Sequence, residues 1–354
     1  MRNLKGIFVL APDALPLIYG DSEQRDIARL VDIYAPPQTR EVVSEDPAIL
    51  MDAEVLFSGW SGPMLDEAFF AAAPNLKAIF YGAGGMGYIL TPAVWERGIV
   101  VTSALEANAV PVAEYTLATI LFSLKHGWRL ARQTKKHHCH PDRNHVPGCY
   151  GSTVGLVSLG AIARKLLELL RPFDLNVLVY DPFLTEHDGA ALDVELVSLE
   201  AIFERSDVVS LHTPVFPETV GMITGQHIAS MKQGATFINT ARGELIRETE
   251  MLGVLSRRPD LQAVLDVTIK EPPEVGSPFY SLENVVLTPH IAGSAGKECQ
   301  RMGRYMVEEL QRYLAGEPLR YALTEKSVMR SSHRPVGANL ARPRSATIAM
   351  SSAT

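Results

Sequence analysis

Short apolar runs alternate with charge-edged amphipathic stretches along most of this chain. GIFVLAP (6–12) reads as a first buried strand, and it is too short for the apolar region of a signal peptide with a cleavage site. SEQRDIARLVDIY (22–34) reads as a helix, EVLFSG (54–59) as a strand, LDEAFFAAA (65–73) as a helix and LKAIFYG (76–82) as a strand. GIVVTSA (98–104) closes this first series. Residues 109–131 read as one long helix, apolar over much of its surface and therefore buried between layers. A polar, His-rich connector follows at 132–150.

From residue 153 a second series begins: strand VGLVSLG, helix AIARKLLELLRPF, strand NVLVYDP, helix SLEAIFERS and strand VVSLHTP. Further strands are expected around TFINTA (236–241), LQAVLDV (261–267) and NVVLTPH (284–290). The last helix, about 297–315, meets Gly316 with Pro318 beyond, a helix stop signal. The segment 324–354 is rich in Ser, Ala, Arg and Pro without a period, and is expected to be loosely ordered. Alternating strands and helices predict an α/β chain with parallel sheets.

Composition narrows the picture. The 354 residues suffice for two domains, and 47% apolar with 21% charged residues is ordinary for a globular chain. A formal charge of -7 argues against a general nucleic-acid partner. No uninterrupted apolar run has membrane-spanning length, so no membrane partner is expected. Three cysteines, Cys139, Cys149 and Cys299, are too few for a disulfide framework and point to a reducing cytoplasm.

The segment VGLVSLGAIA (154–163) is a buried strand, a turn and a helix start, as a dinucleotide site needs. Ser158, Gly160 and Ala163 take the places of G-x-G-x-x-G/A. Gly160 is the member that lets backbone approach a pyrophosphate, and Ser158 departs from the pattern at the tight turn. A ligand-free packing turn is the competing reading of these residues alone. Asp181 ends the next strand about 20 residues on, where an acid bonds the adenosine ribose. Pro182 and Phe183 follow without an arginine for a 2′-phosphate, which favours NAD over NADP. The plain alternative is an Asp-Pro turn.

Arg242, Glu271 and His290 each stand just past an expected strand end, where ligands gather in open α/β sheets. A guanidinium can grip a carboxylate and polarise a carbonyl. An imidazole can exchange a hydroxyl proton near neutral pH, and a carboxylate beside it fixes the tautomer. Taken singly, each reads more readily as a bland residue: Arg242 as a surface residue at a helix N-terminus, Glu271 as a loop charge before Pro272 and His290 as a turn histidine.

Together the segments PNLKAIFYGAGG (74–85), EANAVPVAEYTLA (106–118), VGLVSLGAIA, LHTPVFPET (211–219), INTARGEL (238–245), LDVTIKEP (265–272) and TPHIAG (288–293) resemble the D-isomer-specific 2-hydroxyacid dehydrogenase family over about residues 50–320. The resemblance implies two similar doubly wound, Rossmann/flavodoxin-like domains, with the NAD domain (103–291) inserted into a substrate domain (1–102 and 292–323). It implies an NAD-dependent oxidoreductase that interconverts a small 2-oxo acid and a 2-hydroxy acid. Arg242 would bind substrate, His290 would be the general acid/base and Glu271 its partner. NAD would contact Ser158, Gly160, Ala161, Ile162, Asp181, Thr213, Pro214, Thr219, Thr240, Ala241, Asp266, His290 and Gly293. Backbone N–H groups of Tyr81, Gly82, Ala83 and Gly84 would hold the substrate carboxylate, and a homodimer through the NAD domain is implied.

Gly85-Met86-Gly87 stands where many relatives carry an acidic residue, which alters the substrate loop. Trp60 and Tyr81 read equally as pocket walls and as core aromatics. The segment HHCHPDRNHVPGC (137–149) offers six ligand-type side chains, but its spacing matches no common zinc pattern, so no metal is expected. The rival functional class is an NAD-sensing corepressor on the same fold. No peptide-docking motif is identified, and an intact Arg242, Glu271 and His290 favours an enzyme.

Overall fold

The computed structural model of the protein describes residues 3–331. The apolar runs become strands of two all-parallel sheets. β1 (Lys5–Val9), β2 (Asp32–Ile33), β3 (Val55–Ser58), β4 (Ala78–Tyr81) and β5 (Val100–Ser103) form the first, in the order β2-β1-β3-β4-β5. β6 (Thr153–Val157), β7 (Asn176–Tyr180), β8 (Glu195–Leu196), β9 (Val208–Leu211), β10 (Thr236–Asn239), β11 (Gln262–Leu265) and β12 (Val285–Leu287) form the second, in the order β12-β11-β10-β9-β6-β7-β8.

Strands buried on both faces divide their side chains between two cores. In the first sheet Phe8, Phe57 and Phe80 point to one face. Ile7, Val9, Leu56 and Ile79 point to the other. The helix Leu105–Leu124 leaves β5 and joins the second core, where Ala113, Ile120 and Leu124 pack with Val154, Leu156 and Leu166. The helix Glu298–Ala315 then returns, placing Met302, Met306 and Leu310 against Phe8 and Phe80. Its crossing requires Gly303, because a Cβ there would lie 1.9 Å from the Ile18 carbonyl oxygen. The second sheet is thus inserted between two parts of the first unit, and the helix ends at Gly316 with φ +69, as expected.

Several expectations are corrected. The helix expected over 22–34 spans Asp21–Leu30, and Asp32–Ile33 is the edge strand β2. Val31 is buried and Asp32 exposed, a period-two pattern that β-branched residues favour. The helix expected over 109–131 begins at Leu105 and breaks at His126, which adopts φ +48; a second helix runs from Gly127 to His137. Gly127 makes the break possible, since a Cβ would meet the Phe122 ring at 2.4 Å. Within the segment expected to be loosely ordered, Glu325–Ser331 is helical, entered through reciprocal Thr324–Ser327 hydrogen bonds. Residues 332–354 of that segment lie outside the described residues.

The helix Leu105–Leu124 is long and apolar enough to cross a membrane by length and composition, a feature the sequence reading passed over. Its packing between layers accounts for that apolar character.

Candidate active site

β6 and β9 are neighbours although β7 and β8 follow β6 in sequence, so the strand order reverses there. A crevice beyond the carboxyl ends at such a point is where α/β sheets hold nucleotides. Ser158 lies just past β6 with φ +73, the left-handed backbone that a glycine adopts freely. Its hydroxyl shares a hydrogen bond with Thr213 Oγ1 at 2.8 Å, and its N–H donates to the Tyr180 carbonyl at 2.7 Å. The departure from glycine is therefore accommodated by a side-chain bond across the crevice. His212, one residue before Thr213, is buried, and burial pulls its ring down to about 4.

Gly160 opens the helix Ala161–Leu170 with no side-chain cap. A Cβ on Gly160 would meet nothing within 4 Å, so its surface faces open space. The first N–H groups of an α-helix have no partner within it, and here the half-buried Ala161 and Ile162 present them. An uncapped terminus beside an open glycine fits a pyrophosphate. Asp181 follows β7; its carboxylate accepts from the Leu159 and Phe183 N–H groups, both at 2.9 Å. That places a fixed negative charge at the edge of the turn.

The other expected cofactor residues are arranged less directly. The Thr219 hydroxyl donates to the Pro214 carbonyl at 2.8 Å and braces its own loop. Thr240 Oγ1 lies 3.4 Å from Thr116 Oγ1. Asp266 is buried, and its carboxylate accepts from Thr288 Oγ1 at 2.7 Å and from the Ile291 and Ala292 N–H groups at 2.8 and 2.9 Å. Asp266 therefore anchors the segment that carries His290.

His290 adopts φ +56, and its N–H donates to the Asp266 and Thr288 carbonyls at 3.0 Å each. A non-glycine residue in this region stores strain that the surrounding bonds must hold. Its Nδ1 meets Glu271 Oε2 at 2.8 Å, with both side chains about two-fifths exposed. Burial pushes the Glu271 carboxyl up. The hydrogen bond and charge of His290 outweigh this, together with the Thr268 N–H and the charge of Arg242, and hold it below its usual value.

Arg242 stands past β10 on a turn that Asn239 clamps. The Asn239 Oδ1 accepts from the Ala241 N–H and its Nδ2 donates to the Arg242 carbonyl, both at 2.9 Å. Arg242 itself is exposed and donates to the Ala241 carbonyl at 2.6 Å. Asn239 was missed in the sequence, although an Asn two residues before the bonded N–H is a recognisable side-chain turn.

In the glycine segment the Gly82 N–H donates to the Ser58 carbonyl at 2.8 Å, and Tyr81 belongs to β4. Of the four residues expected to hold the carboxylate, Gly82 thus has its N–H engaged within the chain. Tyr81 is a core aromatic whose hydroxyl meets that of Tyr88 at 2.9 Å. Trp60 is partly buried against both cores of the first sheet. Asn108, also missed, joins the two units. Its Oδ1 accepts from the Ser294 N–H at 2.9 Å, and its amide lies 3.1 Å from where a Gly84 Cβ would be. Gly293 lies against the same amide. His137, His138, Cys139, His140 and His145 are exposed, and no group of three potential metal ligands assembles among the described residues.

Residues 117–292 match the family described as D-isomer specific 2-hydroxyacid dehydrogenase, NAD binding domain. The chain is 31% identical over 287 residues to a glyoxylate reductase of Korarchaeum cryptofilum, covering 80% of this chain and 85% of that protein. It is 31% identical over 264 residues to a D-3-phosphoglycerate dehydrogenase of Archaeoglobus fulgidus, covering 75% of this chain and 50% of that one. The chain thus spans about half the length of the phosphoglycerate dehydrogenases it matches. In fold it is similar to the D-mandelate dehydrogenase of Rhodotorula graminis, with a TM-score of 0.77 and 23% identity over 93% of this chain and 100% of that one. With its parallel sheets, its open helix terminus and these matches, the chain belongs to the D-isomer specific 2-hydroxyacid dehydrogenase family, and its second sheet lies in that family's NAD-binding domain.

Proposed function

We propose that the protein interconverts a small 2-oxo acid and the corresponding D-2-hydroxy acid. The observation that supports this most directly is the His290 Nδ1–Glu271 Oε2 contact of 2.8 Å, with the charge of Arg242 acting on the same carboxylate. Gly160 and the N–H groups of Ala161 and Ile162 would hold NAD, which would supply the hydride in reduction and accept it in oxidation. Arg242, with the N–H groups of Ala83 and Gly84, holds the substrate carboxylate, and Arg242 polarises the C2 carbonyl. His290 donates a proton to the C2 oxygen in reduction and removes it in oxidation. Glu271 occupies Nδ1, which leaves Nε2 as the atom that exchanges the proton. On this reading residues 103–291 form the NAD domain and 1–102 with 292–323 the substrate domain.

The test is oxidation of NADH by the purified protein with glyoxylate, hydroxypyruvate, pyruvate, phenylpyruvate and branched 2-oxo acids. Turnover with at least one is expected. No turnover with any of them, alongside tight NADH binding, would return the protein to the corepressor-like reading.

Cofactor choice follows from Asp181, whose fixed carboxylate would repel a 2′-phosphate. NADH should show a higher kcat/KM than NADPH, and Asp181→Ala should narrow the gap. Equal use of both cofactors by the unaltered protein would refute the assignment.

We also propose a homodimer through the NAD domain, in a reducing cytoplasm that suits three free cysteines. The helix Gly127–His137 buries none of its residues, and Phe122 beside it is 42% exposed. The exposed Phe122 ring is the apolar part of this surface, beside a helix that is mostly charged and polar. Light scattering should give twice the chain mass of 38.7 kDa; a monomeric mass at micromolar concentration would exclude the dimer.

A further inference from the structure

The peptide unit between Thr268 and Ile269 carries the approach to Glu271 and is gripped by two neighbours. The first is Gly243, next to Arg242. A Cβ there would lie 2.1 Å from both the Thr268 carbonyl carbon and the Ile269 nitrogen, so the Arg242 turn presses directly on this peptide. The second is Glu248, whose Oε1 accepts from the Ile269 N–H at 2.7 Å. The residue on its N-terminal side serves Glu271: the Thr268 N–H, in the preceding peptide unit, supports the Glu271 carboxylate, and the Thr268 hydroxyl closes the turn on the Lys270 carbonyl at 2.7 Å.

Glu248 is the first residue of the helix Glu248–Arg257, where the helix dipole favours a carboxylate. A residue serving only that end would do so equally well in solvent. Glu248 is instead half-buried beneath the 268–271 turn. Burial pushes its carboxyl up, Glu244 adds to this, and the Ile269 N–H opposes both. Residues that orient a functional group from behind commonly matter about tenfold or more.

We propose that Glu248 is a positioning residue: by holding the Ile269 N–H it fixes the peptide that presents Glu271 to His290. The inference rests on the roles given above to Glu271 and His290. It couples the Arg242 turn and the Glu271 turn into one packed unit.

The experiment compares Glu248→Ala, Glu248→Gln and Glu271→Gln in the full-length protein with two readouts. One is the protonation midpoint of the His290 ring, followed by NMR of histidine-labelled protein and assigned with His290→Gln; it needs no substrate. The other is kcat/KM for 2-oxo acid reduction against pH. Glu271→Gln should move the midpoint to lower pH, because it removes the adjacent negative charge. Glu248→Ala should move it the same way by a smaller amount and lower kcat/KM roughly tenfold. Glu248→Gln keeps an acceptor for the N–H and should restore both. If Glu248→Ala does not fold, Glu248→Asp, whose shorter side chain cannot reach the same N–H, replaces it.

A midpoint unchanged in Glu248→Ala but shifted in Glu271→Gln overturns the inference. So does a Glu248→Gln protein that behaves like Glu248→Ala, since charge and not the N–H bond would then be the cause. If Glu271→Gln itself leaves the midpoint in place, the contact it is meant to secure is absent and the inference falls. If the midpoints move as expected but no 2-oxo acid is reduced, the positioning role stands and the proposed reaction fails.

Discussion

Replacing His290 with Gln should lower kcat/KM for 2-oxo acid reduction by on the order of a hundredfold or more, the ordinary contribution of a positioned proton donor. It should also abolish the pH dependence that the ring imposes. In reduction the ring must start protonated, so kcat/KM should be high in acid and fall as pH rises. Glu271 does not contribute that fall. It is held below its usual value by His290 and so stays ionised across the range from about pH 5 to 9 that brackets an ordinary histidine. Glu271→Gln removes the negative charge 2.8 Å from Nδ1 and disfavours the protonated ring. The falling limb should therefore move to lower pH, and activity near neutrality should drop more than activity in acid. Oxidation needs the neutral ring and should respond in the opposite direction. A His290→Gln protein that keeps the wild-type limb would remove His290 from the mechanism.

Arg242→Ala should be comparably severe. A bidentate, charge-assisted contact with a carboxylate in a partly desolvated cleft is worth ~3 kcal/mol, on the order of a hundredfold in rate. NADH affinity should change little, because Asp181, Gly160 and the helix Ala161–Leu170 lie on other strand ends of the same sheet. Tm should also change little, since Arg242 is exposed and its turn is clamped by Asn239. A mutant with near wild-type kcat/KM would make Arg242 an ordinary surface residue. A mutant that loses NADH binding would place it in the cofactor site instead.

Much of the fold was legible because parallel strands buried on both faces must be written as short uninterrupted apolar runs. Phe8, Phe57 and Phe80 sit in such runs, and so do Val154, Val209 and Val264. The helix Glu248–Arg257 was not found: it has Gly253 in its interior, which lowers helical propensity. Nor was the break at His126, since Phe122 and Gly127 meet only once the chain has turned. In the site, Arg242, Glu271 and His290 were visible as reactive types past strand ends. What supports them was not. Glu248 acts on a peptide 21 residues away. Asn108 acts on a segment 186 residues away. Spacing carries no trace of either bond. Asp266 was visible by its position, but the three bonds by which its carboxylate holds Thr288, Ile291 and Ala292 were not.

The polypeptide passes between the two sheets twice, after Ser103 and again near Ile291–Ser294, and Asn108 ties these passages together through Ser294. Any swing of one sheet against the other must turn about that pair of crossings, as a door turns about two pins. Displacement in a rotation grows with distance from the axis. His290 is one residue from the second crossing, so it travels little whichever sheet moves. The ring proposed to exchange the proton is thus mounted at the pivot and keeps its bearing on both sides.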